Sequence, residues 1–263
     1  MTYKKIVYSE EKCIASIILN SPQNLNAIDE EMVDEIMEVL KQIDESEEIK
    51  VLVISGDGKG FSAGGDIRMM IQSIQTNNLS ALDGGIKKVG LLSMAIKKMS
   101  KPVIASVHGA VAGAGFNVAL ACDFIIASHD AKFIQSFVNI GLVPDAGGIF
   151  LLTRAVGVNR ANEMIMLGQP IDAEAGKVLG FVHMTVPCDI LQVETTKFAE
   201  KLSRGPSISY KMMKKLVFES EFKDFEQFIN LEEKIQKACG RTDDFKEGIM
   251  SFIEKRKPIF LGK

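Results

Sequence analysis

Three glycine-bearing segments hold the residues of this chain best suited to chemistry: FSAGGDI (61–67), HGAVAGAGFN (108–117) and GLVPDAGG (141–148). In the first, Gly64 and Gly65 carry no Cβ, so the backbone can come close to a ligand. In the second, residues 113–115 stand where a helix is predicted to start. N–H groups there have no acceptor within the helix and lie at the positive end of its dipole. Two such N–H groups from different loops, brought onto one carbonyl oxygen, form a hole for an enolate or a tetrahedral oxyanion. Each donor of that kind is worth about 3–4 kcal/mol in the transition state. The third segment adds an acid, Asp145, in a P-D-A-G-G string that also reads as a turn or a helix N-cap.

Other chemistries find little support. GxxxxGK[ST] is absent, and GAGFNVA departs from the GxGxxG dinucleotide pattern. His108 reads as packing against the glycine turn it precedes, His129 as exposed in SHDAK, and His183 as a strand residue in FVHMTV. They form neither a Ser-His-Asp order nor a metal-ligand spacing. The four cysteines (Cys13, Cys122, Cys188, Cys239) contain no CxxC pair, so neither zinc nor a disulfide framework is expected. The thirteen methionines read as core or pocket filler. A net charge of −3 argues against nucleic acid as a partner. The N-terminus lacks the apolar run of a signal peptide, and Gly109–Cys122 falls short of the roughly 18 residues that a membrane span needs. A cytoplasmic protein without a membrane partner is the expectation.

The elements that must position these loops alternate. CIASIIL (13–19), VLVIS (51–55), VIASV (103–107) and FIIA (124–127) read as strands. Asp29 precedes an amphipathic helix with Met32, Val33, Ile36, Met37, Val39, Leu40 and Ile43 on one face. Helical texture fills 67–99 and opens again near 113–122. Strands separated by helices and closed by glycine turns predict an α/β domain with much parallel pairing. From about Asn159 the chain turns mainly helical (159–180, 190–203, 207–218, 224–255), with a short strand near 181–186. In 263 residues, this predicts an α/β core over 1–199 and a helical C-terminal subdomain over 200–263, packed on the core or on a neighbouring subunit. The chain end FIEKRKPIF sets Phe252, Lys255, Arg256 and Lys257 at a helix terminus, where cations complement the dipole.

LNSPQNLNAID (19–29), GKGFSAGGDI (58–67), KPVIASVHGAVAGAGFNVALACDFIIAS (101–128) and FIEKRKP (252–258) resemble the crotonase, or enoyl-CoA hydratase/isomerase, superfamily, with the motifs in the family's order along nearly the whole chain. The resemblance implies a crotonase-like spiral of β-β-α units with a helical C-terminal subdomain. It also implies an acyl-CoA thioester as substrate rather than as cofactor, and a homotrimer or homohexamer. By the same resemblance, Gly65 and Ala114 are the two oxyanion donors. The stretch Ala63, Gly64, Gly65, Asp66 and Ile67, with the turn carrying Asn24, Leu25 and Ala27, cradles the CoA. Phe252 and Lys255 approach the acyl-CoA from the C-terminal helix.

The family's hydratases use two glutamates, and the matching positions here are Asn117 and Phe137. Asn takes up no proton at neutral pH and Phe, here a substrate-binding position, has no polar atom, so that pair cannot activate water. Asp145 sits where some isomerases and dehalogenases of the superfamily carry an aspartate, and its loop is similar to that of the epoxyphenylacetyl-CoA isomerases. Shifting a double bond from C3–C4 to C2–C3 takes a proton from C2 and returns it to C4, which one carboxylate reaching both carbons can do. The expectation is an acyl-CoA isomerase working through Asp145. Two alternatives stand beside it: an enoyl-CoA hydratase with an atypical site, and a non-catalytic CoA- or RNA-binding member. A nucleophilic Asp145, as in the dehalogenases, fits less well, since their aromatic-rich pocket is not matched by a chain with no Trp and three Tyr.

Overall fold

The chain opens with a hairpin whose two turn residues, Lys12 and Cys13, both take positive φ (48° and 66°), the backbone twist that closes a two-residue turn between antiparallel strands. The computed structural model describes residues 3–263. In chain order the elements are β1 (Ile6–Glu11), β2 (Ile14–Leu19), α1 (Glu30–Glu45), β3 (Val51–Gly56), β4 (Gly60–Ser62), α2 (Ile67–Gln75), α3 (Asp83–Lys98), β5 (Val103–Val107), β6 (Ala110–Ala112) and α4 (Gly113–Ala121). There follow β7 (Phe124–Ser128), β8 (Lys132–Ile134), α5 (Gly148–Val156), α6 (Val158–Leu167), β9 (Ile171–Asp172), α7 (Ala173–Leu179), β10 (Met184–Val186), α8 (Leu191–Ser203), α9 (Ser207–Val217), α10 (Phe225–Cys239) and α11 (Asp243–Ile253).

Helix α1 forms for the reasons visible in its sequence. The Asp29 side chain accepts the Met32 N–H at 2.9 Å, acids fill the first turn, and Met32, Val33, Ile36, Val39, Leu40 and Ile43 are buried on one face. The stretch read as one helical run over 159–180 is instead α6, the two-residue strand β9 and α7, with α5 starting earlier, at Gly148.

Two sheets build the core. Six strands run in the order β1-β2-β3-β5-β7-β10, antiparallel only between β1 and β2. Four short strands run β4-β6-β8-β9, with β4, β6 and β8 parallel and β9 antiparallel to β8. Successive turns of the chain add a strand to each sheet (β3 then β4, β5 then β6, β7 then β8), giving a crotonase-type spiral. The main apolar core lies between the large sheet and helices α1, α3, α4 and α5, and a smaller one lies under α8.

The small sheet positions the site. β4, β6 and β8 are parallel neighbours, so the segments leaving their C-terminal ends emerge side by side, where ligands bind in parallel sheets. Those segments are 63–66, the start of α4, and the run from Gln135 to the 141–147 loop. Helix α4 is buried on every side. It can lie this close because a Cβ on Gly115 would stand 2.5 Å from the Ser62 Cβ. Among the described residues, no helix is long and apolar enough to cross a membrane.

Candidate active site

The first glycine loop is set by its neighbours. Ser62 Oγ donates to Asn26 O (2.7 Å) and accepts the Gly64 N–H (3.1 Å), while Ile28 N–H donates to Gly64 O (2.7 Å) and Ala63 N–H to Leu25 O (2.8 Å). Gly64 takes φ +93°, and a Cβ there would stand 2.9 Å from Ala112 O and 3.3 Å from Ala114 N. Only glycine permits this approach, and it brings the loop against the first turn of α4. Gly65 N–H finds no acceptor among the described residues, and Ala114 N–H stands at the second position of α4, where the helix offers none.

Asp145 is held over the same place by three contacts. Asn117 Nδ2 donates to the Asp145 backbone O (2.8 Å), Gly148 N–H donates to the same oxygen (2.8 Å), and Gln236 Nε2 donates to Oδ2 (3.4 Å). Gln135 Nε2 in turn donates to Asn117 Oδ1 (2.7 Å) and orients that amide. Asn117, at the position of a hydratase glutamate, therefore serves as a strut for the Asp145 loop. Two residues on from Asp145, Gly147 N–H donates to Glu232 Oε1 (2.8 Å). Gly147 has φ +72°, and a Cβ there would run into the Phe225 ring at 2.3 Å.

Burial pushes Asp145 up to about 7, with the Gln236 hydrogen bond pulling weakly the other way. Burial also pushes Glu232 up to about 8, against the Gly147 hydrogen bond and with the help of the Asp145 charge. Asp66 goes the opposite way: the Arg68 guanidinium, bonded to it at 2.7 and 3.1 Å, holds it below the ordinary carboxylate range.

One largely apolar cavity takes in Gly65, Asp66, Ala114 and Asp145, walled by Ile28, Val33, Met69, Met70, Leu142 and Phe245. Gly65, Ala114 and Asp145, singled out by sequence, thus line one cavity. Ala63, Gly64, Leu25 and Ala27 stand behind this wall as its hydrogen-bonded frame, Asn24 lies beside the Asp66–Arg68 pair, and Ile67 begins α2. Phe137 is buried off the cavity, packed toward Gly113. Phe252 and Lys255 are exposed and do not line it, because α11 turns Phe245, Gly248, Ile249 and Ser251 inward and Phe252 outward.

Three residues escaped the sequence reading. Asn26 is fully buried and ties the 21–27 turn together, accepting from Ser21 N–H and donating to Asp57 O and Gly60 O. Glu232 and Gln236 lie four apart on α10 and so share a face. The signal was a glutamate and a glutamine at helical spacing among apolar Phe225, Phe228 and Ile229, on the face a helix buries.

Residues 9–263 match the model of the family described as enoyl-CoA hydratase/isomerase. The chain is 38% identical to the trans-2-decenoyl-[acyl-carrier-protein] isomerase of Streptococcus mutans over the whole of both chains. It is 33% identical to the 1,2-epoxyphenylacetyl-CoA isomerase of Escherichia coli, over 96% of this chain and 97% of that one. A crystal structure of an enoyl-CoA hydratase from Mycobacterium avium subsp. paratuberculosis superposes with a TM-score of 0.88 at 28% identity, over 99% of this chain and all of that one.

Proposed function

The chain belongs to the enoyl-CoA hydratase/isomerase family, and from that premise we propose that it is a double-bond isomerase of acyl thioesters in which Asp145 alone moves the proton. One observation carries this reading: of the carboxylates lining the cavity, Asp145 is the one without a cationic partner, and it lines the same cavity as Gly65 and Ala114. Asp29 pairs with Lys5, Glu30 with Lys88, Asp66 with Arg68 and Asp83 with Arg241. A carboxylate bound to a cation is a poor base, whereas one raised to about 7 is a strong one that is still substantially ionised at neutral pH.

In this mechanism the Gly65 and Ala114 N–H groups donate to the thioester oxygen and stabilise the dienolate that forms when a proton leaves. Asp145 takes the proton from one end of the allyl system (C2 or C4) and returns it to the other. The cycle consumes no water, and with one carboxylate it runs in either direction. The relatives' names cover both CoA and acyl-carrier-protein thioesters, so the carrier is a matter for the assay. Phe252 and Lys255, off the cavity of their own chain, are assigned to a site completed by a neighbouring subunit of a trimer, which predicts a mass well above 28.8 kDa in gel filtration.

The test is a panel of 2-enoyl and 3-enoyl thioesters on both carriers, followed for double-bond migration and for water addition, with Asp145→Asn beside the natural chain. Migration that disappears in the variant supports the reading; migration that survives sinks it. Water addition without migration favours a hydratase with an atypical site.

A further inference from the structure

Behind Asp145 lies a cluster of buried acceptors that have no donor among the described residues: Asp145 Oδ1, Glu232 Oε2 and Gln236 Oε1. The donors at its carboxyl oxygens are all amides: Gly147 N–H at Glu232 Oε1, Gln236 Nε2 at Asp145 Oδ2, and the backbone N–H of Asp145 itself. Cations are present nearby but already engaged. Facing from α10 itself, Lys237 pairs with Glu233; from α3, Lys87 faces Glu233 and Asp83 holds Arg241; at the cavity mouth Arg68 holds Asp66, Lys5 holds Asp29 and Lys88 holds Glu30. Glu232 is 4% exposed and is not among the residues lining the cavity. An acceptor-rich, cation-free site of this kind is stabilised by hydrogen: a buried unpaired charge is strongly disfavoured, and two carboxyls sharing a site keep one proton between them.

We propose that Glu232 is a positioning residue that remains a neutral acid throughout turnover, clamping the 145–148 loop through the Gly147 N–H and sparing Asp145 a second negative charge. The inference rests on Asp145 being the base. The substrate proton passes from carbon to Asp145 and back to carbon. Glu232 neither gives nor gains a proton, so before and after each cycle the pair carries a single negative charge. When Glu232 does ionise, the second charge stands behind the loop with no cation to offset it, and the geometry that aims Asp145 is lost. The pair titrates as a unit, and the raised position of Glu232, about 8, puts this event just above neutrality.

The experiment compares pH profiles of isomerisation on a 3-enoyl thioester. The natural chain is expected to rise as Asp145 ionises and to fall again above about pH 8. Glu232→Gln keeps an uncharged oxygen for Gly147 and removes the ionisable group; its kcat at neutral pH drops about threefold because the carboxamide puts an NH2 where the acid had its O–H, its KM stays put, and its alkaline fall disappears. A Glu232→Gln profile that keeps the alkaline fall, or a natural chain without one, overturns the proposal. A purely structural residue would alter the melting temperature and leave the profile's shape unchanged. Should Glu232→Gln not fold, carboxyl-carbon NMR titration of the natural chain decides. Glu232 titrating with Asp145 in two linked steps supports the proposal, and Glu232 titrating in the ordinary carboxylate range overturns it. Asp145→Asn run in parallel separates the failures: activity retained there removes the base itself, whereas activity lost there with an unchanged Glu232→Gln profile removes only the clamp.

Discussion

The mouth and the floor of the cavity hold the same functional group in opposite states. At the mouth, Asp66, Asp83, Asp29 and Glu30 each have a lysine or arginine partner. At the floor Asp145 and, behind it and off the cavity, Glu232 have only amide donors, and both are raised where Asp66 is lowered. The residue type is shared, so the difference in chemistry comes from which carboxylates the fold denies a cation. Burial disfavours their charge, and the neighbours that occupy cation positions elsewhere are here the Gln236 amide and backbone N–H groups. In the proposed reaction, the base that takes a proton from carbon owes its strength to being left short of partners, at a cost in stability.

The sharpest way to break the contrast is to neutralise the floor. Asp145→Asn is expected to lower the isomerisation kcat by about 10²–10⁴-fold, the scale of general acid–base catalysis. Binding of a saturated acyl-CoA should change little, which calorimetry can check. The next effect is at the amides. Ala114 lies in the first turn of α4, a position that tolerates proline, so Ala114→Pro removes the N–H while leaving the helix start in place. The expected loss is about 10²–10³ in kcat with a smaller change in KM, because an oxyanion donor acts mainly on the developing charge. An equal loss in saturated acyl-CoA binding would show that the amide serves the ground state instead.

Much of this arrangement was legible in the sequence, and the exceptions share a cause. The strands of the large sheet read well because VLVIS and VIASV are continuous apolar runs, as strands covered on both faces must be. β1 did not, since Tyr8, Ser9, Glu10 and Glu11 look like a solvated loop; pairing with β2, the buried Ile6 and the bonds from Lys4 and Lys5 N–H to Glu35 hold it. The small sheet has strands of two or three residues, too short to show a period of two. Gly65, Ala114 and Asp145, which line the cavity, stood out in the sequence because glycine loops and a lone acid carry local signals and because the family resemblance falls on those segments. Glu232 and Gln236 were missed because their role depends on α10 packing about 90 residues away from Asp145 in sequence, a distance no local pattern spans. Phe252 and Lys255 matched a motif, yet α11 turns them away from the cavity of their own chain.

The cost of the floor is measurable as pH-dependent stability. Asp145 and Glu232 titrate higher in the folded protein than in the unfolded chain, so the folded state binds more protons between about pH 4 and pH 8. Their contribution is fully present below their unfolded values and is lost as the pH rises through about 7 and 8. Asp145→Asn therefore melts at a higher temperature than the natural chain at pH 8, by about 2–4 °C for each kcal/mol released. At pH 4 the gap closes. Scanning calorimetry at the two pH values reads the difference directly, and an equal gap at both would mean that the carboxyl is not raised.

The smallest effect belongs to the mouth. Asp83 and Arg241 meet at 2.8 Å across the opening, one at the start of α3 and the other just past α10. Both side chains are partly solvated, and pairs of that kind are worth about 0–1 kcal/mol because water and salt screen them. Arg241→Gln should shift the melting temperature by no more than about 3 °C and leave the shape of the pH–rate profile intact. Its effect should fade as salt is raised from 50 mM to 500 mM, since the Debye length shrinks well below 10 Å. A large, salt-insensitive loss of activity in this variant would place a mouth residue among the groups that set the reaction, and the division of labour between paired rim and unpaired floor would fail.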